Sequence, residues 1–157
     1  MLFRSFFYRQ TSFTAYDGMW HHICVSWENS LGSWKFYKDG ELEIEGTDLK
    51  KDHTIRAQGS LVLGQEQDSV GGGFLEVQSF QGMLSNLNVW DQVLTTTQIQ
   101  QMSQSCLSDE AADHKVYKWI DFLREGAARL VERSTCEPMG MGICQLNTCT
   151  IDRKSVV

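Results

Sequence analysis

The chain has 157 residues, 41% hydrophobic and 22% charged, and a net charge of −6 from 14 basic and 20 acidic side chains. That length carries one domain with a real core, and the acidic balance argues against nucleic acid, which wants a basic footprint. No apolar run approaches the roughly 20 residues needed to cross a bilayer, so no membrane insertion by this segment is expected.

The opening MLFRSFFYRQTSF holds Arg4 and Arg9 and lacks the uninterrupted apolar core of about 7–15 residues that marks a secretory signal. Taken alone, that points to the cytosol. Residues 20–28, WHHICVSWE, are rich in β-branched and aromatic types and predict a strand buried on both faces. His21 and His22 are adjacent, so in extended chain they point apart and read as structural histidines, not as a metal pair. In GSWKFYKDGELEIEG, the Asp39-Gly40 pair predicts a tight hairpin. Trp34, Phe36 and Lys38 are expected on one face of its first strand, and Leu42 and Ile44 together on one face of its second.

A polar loop runs through His53, and SLVLG (60–64) then predicts another strand. FQGMLSNLNVWDQVL follows, with Met83, Leu84, Leu87, Val89 and Trp90 as its apolar load. Short strands separated by turn signals predict an all-β antiparallel sandwich. One segment departs from that pattern. Leu94, Gln98, Ile99 and Met102 fall at helical spacing behind a run of threonines that can cap a helix, which predicts one short helix laid on a sheet. VYKWIDFLREG (116–126) suits a helix or a strand equally well. From Pro138 onward neither period is present, and the segment reads as a disordered tail. Trp20, Trp27, Trp34 and Trp90 read as core in this setting before they read as sugar-stacking platforms.

The five cysteines are Cys24, Cys106, Cys136, Cys144 and Cys149. An odd count leaves at least one without a partner in the chain. The spacing of the last three, with no histidine nearby, is poor for zinc. Disulfides are the better reading, and they imply an oxidising, extracellular setting.

The stretch LVLGQEQDSVGGGFLEVQSFQG (61–82) gathers oxygen-bearing side chains around a glycine-rich bend. With DGMWHHICVSWENSLGSWKFYKDGE before it and FQGMLSNLNVWDQVLTTTQI after it, the chain resembles the pentraxin domain from about Tyr16 to Cys106. The resemblance implies a jelly-roll sandwich of two antiparallel sheets with one helix. It also implies calcium binding and, through the ion, recognition of an anionic or carbohydrate ligand. Carried over, Glu66 and Asp68 supply carboxylates, Gln67 its backbone carbonyl and Gln78 a side-chain oxygen. Calcium is a hard cation that takes about six to eight oxygens and tolerates irregular loops, so the donor types suit it. Leu75 stands where the family has a further acidic ligand. Glu76 is one residue late, and a slip of one in extended chain turns a side chain to the other face.

The family's first strands, with an Asp-Asn pair and the cysteine that bonds the one matching Cys24, are not found here. The expectation is therefore an incomplete sandwich lacking its N-terminal strands. Residues 1–15 would be a residual start, 16–106 a partial pentraxin domain, 107–136 a C-terminal extension and 137–157 a cysteine-containing tail. Beyond the helix the chain resembles pentraxin modules of extracellular mosaic proteins and adhesion-receptor ectodomains. That likeness pairs Cys106 with Cys136, leaving Cys144 and Cys149 to each other or to a neighbouring module. The expected function is non-catalytic recognition outside the cell, with homo-oligomers possible in such a family. The alternatives are a spacer without a working calcium site and a sandwich-fold glycoside hydrolase. The latter lacks the further carboxylate expected beyond Glu66 and Asp68, since residues 69–73 contain none.

Overall fold

The structure, a computed structural model, describes residues 15, 17–55, 57–105 and 112–130. Strands β1 (Ile23–Trp27), β2 (Trp34–Lys38) and β3 (Glu41–Gly46) form an antiparallel sheet with β2 in the middle. A second antiparallel pair joins β4 (Val89–Trp90) to β5 (Lys115–Tyr117). Helix α1 (Thr96–Gln104) is the one α-helix among the described residues. The architecture is all-β and jelly-roll-like, with antiparallel sheets and a single helix.

The β2–β3 turn follows from Asp39 and Gly40, both at positive φ (53° and 86°), the geometry a two-residue turn needs to match strand twist. Gly40 is required twice over. A Cβ there would stand 2.5 Å from Ser103 Oγ and 3.2 Å from the Gln100 Cα, so the hairpin tip lies against α1. Asp39 then ties the tip back to the entry of β1. Its N–H donates to the His22 carbonyl (2.8 Å), its Oδ1 accepts from the His22 N–H (2.9 Å), and its Oδ2 meets His21 Nδ1 at 2.7 Å. The other ring nitrogen of the buried His21 faces Asp17 at 3.0 Å. His22 Nδ1 is buried with no hydrogen-bond partner, and burial holds the ring below the usual histidine pKa. His21 therefore serves hairpin closure.

Helix α1 starts where the threonines predict. The Thr95 hydroxyl accepts from the Gln98 N–H (3.2 Å), and Gln98 Oε1 accepts from the Thr95 N–H (2.9 Å), a reciprocal cap that satisfies two otherwise orphaned donors. The helix buries Ile99 against Tyr37 and Leu94, with Cys24, Trp90 and Met102 packed around them. Burial pushes the Cys24 thiol up to about 11, so it stays protonated and inert. The other four cysteines, the Cys106–Cys136 pairing and the tail beyond Pro138 lie outside the described residues.

Three expectations change. β1 is covered on one face only: Cys24 packs toward α1, while Val25 on the other face is 60% exposed. That open face borders a cleft of about 1170 Å³ shared with Leu61, Leu63, Met83 and Leu87 and with Val89, Trp90 and Lys115 of the β4–β5 pair. Leu42 and Ile44 do not share a face. Tyr37 pairs with Leu42 and Phe36 with Ile44, leaving Glu43 as the extra residue of a bulge that reverses the alternation. Residues 60–64 form no strand. Their carbonyls are drawn into the following loop: Ser60 accepts from the Gln67 side chain and Gly64 from the Phe80 N–H. The ambiguous segment resolves as β5 followed by a 3-10 turn at Trp119–Asp121, because pairing with β4 satisfies its backbone.

Candidate metal centre

The loop after Leu63 is held by amide side chains and not by a strand ladder. Gln67 is fixed at both ends: its Nε2 donates to the Ser60 carbonyl (2.9 Å) and its Oε1 accepts from the Gly71 N–H (2.8 Å). Ser69 and Gly72 exchange two backbone bonds of 3.1 and 3.0 Å around a tight turn. Gly73 closes the loop with φ of 77°, and a Cβ there would stand 2.6 Å from the Asp68 Cβ. Any larger residue would push Asp68 out of place.

A second segment is brought beside this loop. The Phe80 N–H donates to the Gly64 carbonyl (2.7 Å), and Gln65 Nε2 donates to Ser79 Oγ (2.7 Å). The Ser79 hydroxyl in turn donates to the Glu76 carbonyl (2.6 Å). Because that hydroxyl proton is already given to Glu76, Ser79 can only accept from Gln65. The amide orientation of Gln65 is thereby settled, and its Oε1 is left buried with no hydrogen-bond partner. Glu76–Gln78 form a 3-10 turn, with Gln78 N–H donating to the Leu75 carbonyl at 3.0 Å.

Glu66 and Gln78 are both exposed, and neither side chain makes a hydrogen bond among the described residues. Asp68 is half-buried. With the Gln67 side chain committed to the loop, its main-chain carbonyl is the oxygen it can offer outward. The structure thus assembles Glu66, Gln67 and Asp68 on one stapled loop and ties the turn holding Gln78 to it. Glu76 is not drawn in as a third acid: among the described residues no group of three or more His, Cys, Asp or Glu side chains converges. Leu75, half-exposed, contributes no oxygen. The oxygens along these two segments are carboxylates, amides and carbonyls, types that would suit a hard cation, and Gln65 Oε1 is buried without a hydrogen-bond partner. Sequence reading missed the Gln65–Ser79–Glu76 relay. It joins residues 14 apart in the chain, and nothing in the local pattern announces such a contact.

The architecture is all-β and antiparallel with one capped α-helix among the described residues, and comparison with known proteins narrows the class. A model described as the Pentaxin family matches residues 7–122. The chain belongs to the pentraxin family. It is 46% identical over 107 residues to mouse "Sushi, von Willebrand factor type A, EGF and pentraxin domain-containing protein 1", covering 68% of this chain and 3% of that protein. It is 43% identical over 109 residues to human neuronal pentraxin-1, covering 69% of this chain and 25% of the relative. Mouse neuronal pentraxin receptor is 40% identical over 123 residues, 77% of this chain and 24% of the relative. The chain thus spans a quarter or less of the length of these relatives.

Proposed function

We propose that this chain is a non-catalytic, calcium-dependent recognition module of an extracellular protein. Glu66 and Asp68 hold the ion with their carboxylates, Gln67 with its carbonyl and Gln78 with its amide oxygen. The bound ion captures an anionic or carbohydrate ligand by completing its own coordination shell. The observation that carries this reading is the double anchoring of the Gln67 side chain, which leaves the loop rigid and Glu66 uncommitted. Family membership supports it. Titration calorimetry with calcium chloride on the chain tests it: heat is expected from the native sequence and none from a Glu66→Gln/Asp68→Asn variant.

A second reading, a structural spacer, is favoured by Leu75 at the position where a further acid is wanted. Absence of calcium heat from the native sequence would support the spacer. Self-association belongs to either reading. β1 pairs only with β2 among the described residues and carries no charge, whereas β3, at the opposite edge, bears Glu41, Glu43 and Glu45, the charge that discourages edge-to-edge pairing.

A further inference from the structure

The chain changes character after α1. From residue 57 to residue 114 the sequence contains no Lys or Arg, and then Lys115, Lys118, Arg124 and Arg129 follow in close succession. Against these four cations the stretch 115–130 sets two acids, Asp121 and Glu125, so it is positive within a chain of net charge −6. The Asp121 carboxylate is turned back to accept the Lys118 N–H at 2.7 Å. Lys118, Arg124 and Arg129 are exposed, and none of them enters an ion pair among the described residues.

The same stretch holds apolar side chains in water. Ile120 is 85% exposed and Leu123 87%, and Val116, Tyr117 and Trp119 are exposed beside them. Their placement is built by the backbone. β5 ends at Tyr117, the 3-10 turn Trp119–Asp121 follows with Ile120 at its centre, and the half-buried Phe122 gathers the aromatic rings, 6.5 Å from Tyr117 and 6.2 Å from Trp119. Turns ordinarily carry polar residues, and clustered apolar groups on a surface mark a partner or a membrane. None of residues 116–130 lines the cleft beside Ile23 and Val25, so these side chains do not belong to that face.

Charge and residue type select the surface. Lys118 and Arg124 flank the aliphatic tips in the chain, and their long stems can lie along an apolar boundary while the charged ends stay in water. Trp and Tyr favour the level where hydrocarbon meets water, and anionic head groups attract Lys and Arg. A protein partner would ask for roughly 800 Å² of matched surface on each side, of which two aliphatic side chains on one turn are a small share. A lipid boundary needs no matched shape.

We propose that the 115–130 segment docks on an anionic phospholipid surface without calcium. Ile120 and Leu123 enter the boundary between head groups and acyl chains, and Lys118, Arg124 and Arg129 meet the phosphates. The inference is independent of the calcium reading, since it uses none of residues 64–78 and relies on the protein's own cations. It requires no membrane-crossing element, and no described helix is long and apolar enough to be one.

The test is co-sedimentation of the full chain with phosphatidylcholine vesicles, with and without phosphatidylserine, in chelator and at low and high salt. Binding is expected in chelator, to the phosphatidylserine vesicles, and weaker at high salt. Ile120→Ser/Leu123→Ser should lower the affinity by about tenfold or more, the effect of withdrawing two apolar side chains from a lipid boundary. Lys118→Gln/Arg124→Gln should lower it by about tenfold and flatten the salt dependence. Both variants change exposed side chains only, so their melting temperatures should match the native one. Absence of binding in chelator overturns the inference, and binding that appears only with calcium assigns it to the 64–78 loop instead. Binding that survives the Ile120/Leu123 change overturns it too, by leaving a contact of charge alone. Self-association without vesicles, lost in the same variant, would make this face an interface between copies and would likewise end the lipid inference.

Discussion

The β2–β3 hairpin and the 64–78 loop both turn on glycines, yet they are secured by different means. The hairpin has a backbone ladder on each side of β2, an Asp39 that bonds back to β1, and Tyr37 buried against Ile99 of the helix. The loop is held by bonds from the side chains of Gln65, Gln67 and Ser79 to single polar groups, with no strand ladder. Glu66 takes no part in holding it among the described residues, and Val70 and Val77 are exposed. The hairpin region accounts for stability, and the loop is where the molecule can meet something else without unfolding.

That contrast predicts a graded response to substitution. Ile99→Ala should cost most, about 2–5 kcal/mol, because it empties the centre of a fully packed contact; urea unfolding monitored by tryptophan fluorescence reads it. Gly40→Ala should cost about 2 kcal/mol, from a positive φ that alanine resists and from the approach of Ser103. Its melting temperature should fall while its calcium heat stays unchanged. A Gly40→Ala protein as stable as the native one would break the claim that the hairpin tip is locked against α1.

Glu28 sharpens the comparison through pH. The Ser30 hydroxyl first, and then the main-chain N–H groups of Ser33 and Leu31, hold its carboxyl at about 2 against opposing desolvation, well under the ordinary 4.5. A folded value below the unfolded one means that the unfolded chain takes up the proton first. The stabilisation is therefore complete above about 4.5 and fades as pH falls toward about 2. The melting-temperature gap between the native protein and Glu28→Gln should be largest at neutral pH and close across that window. A gap that persists at pH 2 would mean the carboxylate is not its source. The smallest effect on folding is expected at the site itself. Without calcium, Glu66→Gln should shift unfolding by no more than about 0.5 kcal/mol, as for surface changes generally.

Much of the hairpin and helix was legible in the sequence because their signals are local. Asp39-Gly40 specifies a tight turn within two residues, and the Thr95–Gln98 cap works across one helical turn. The loop motif was legible only through its likeness to a family. The exposed face of β1 was not legible: ICVSW reads as a doubly buried strand, since composition cannot say whether a second layer arrives. Nor was the bulge at Glu43, which ELEIEG hides behind perfect alternation.

The residue types and their spacing alone determined that this chain would make short antiparallel strands, one capped helix and an oxygen-rich bend, because each depends on neighbours a few positions away. Only the tertiary structure decided that Gln65 and Ser79 would join two distant segments, that Gly40 would press on α1, and that Val70 and Val77 would stand in water. Those facts concern distances across the fold, and packing sets them after local preference has been satisfied.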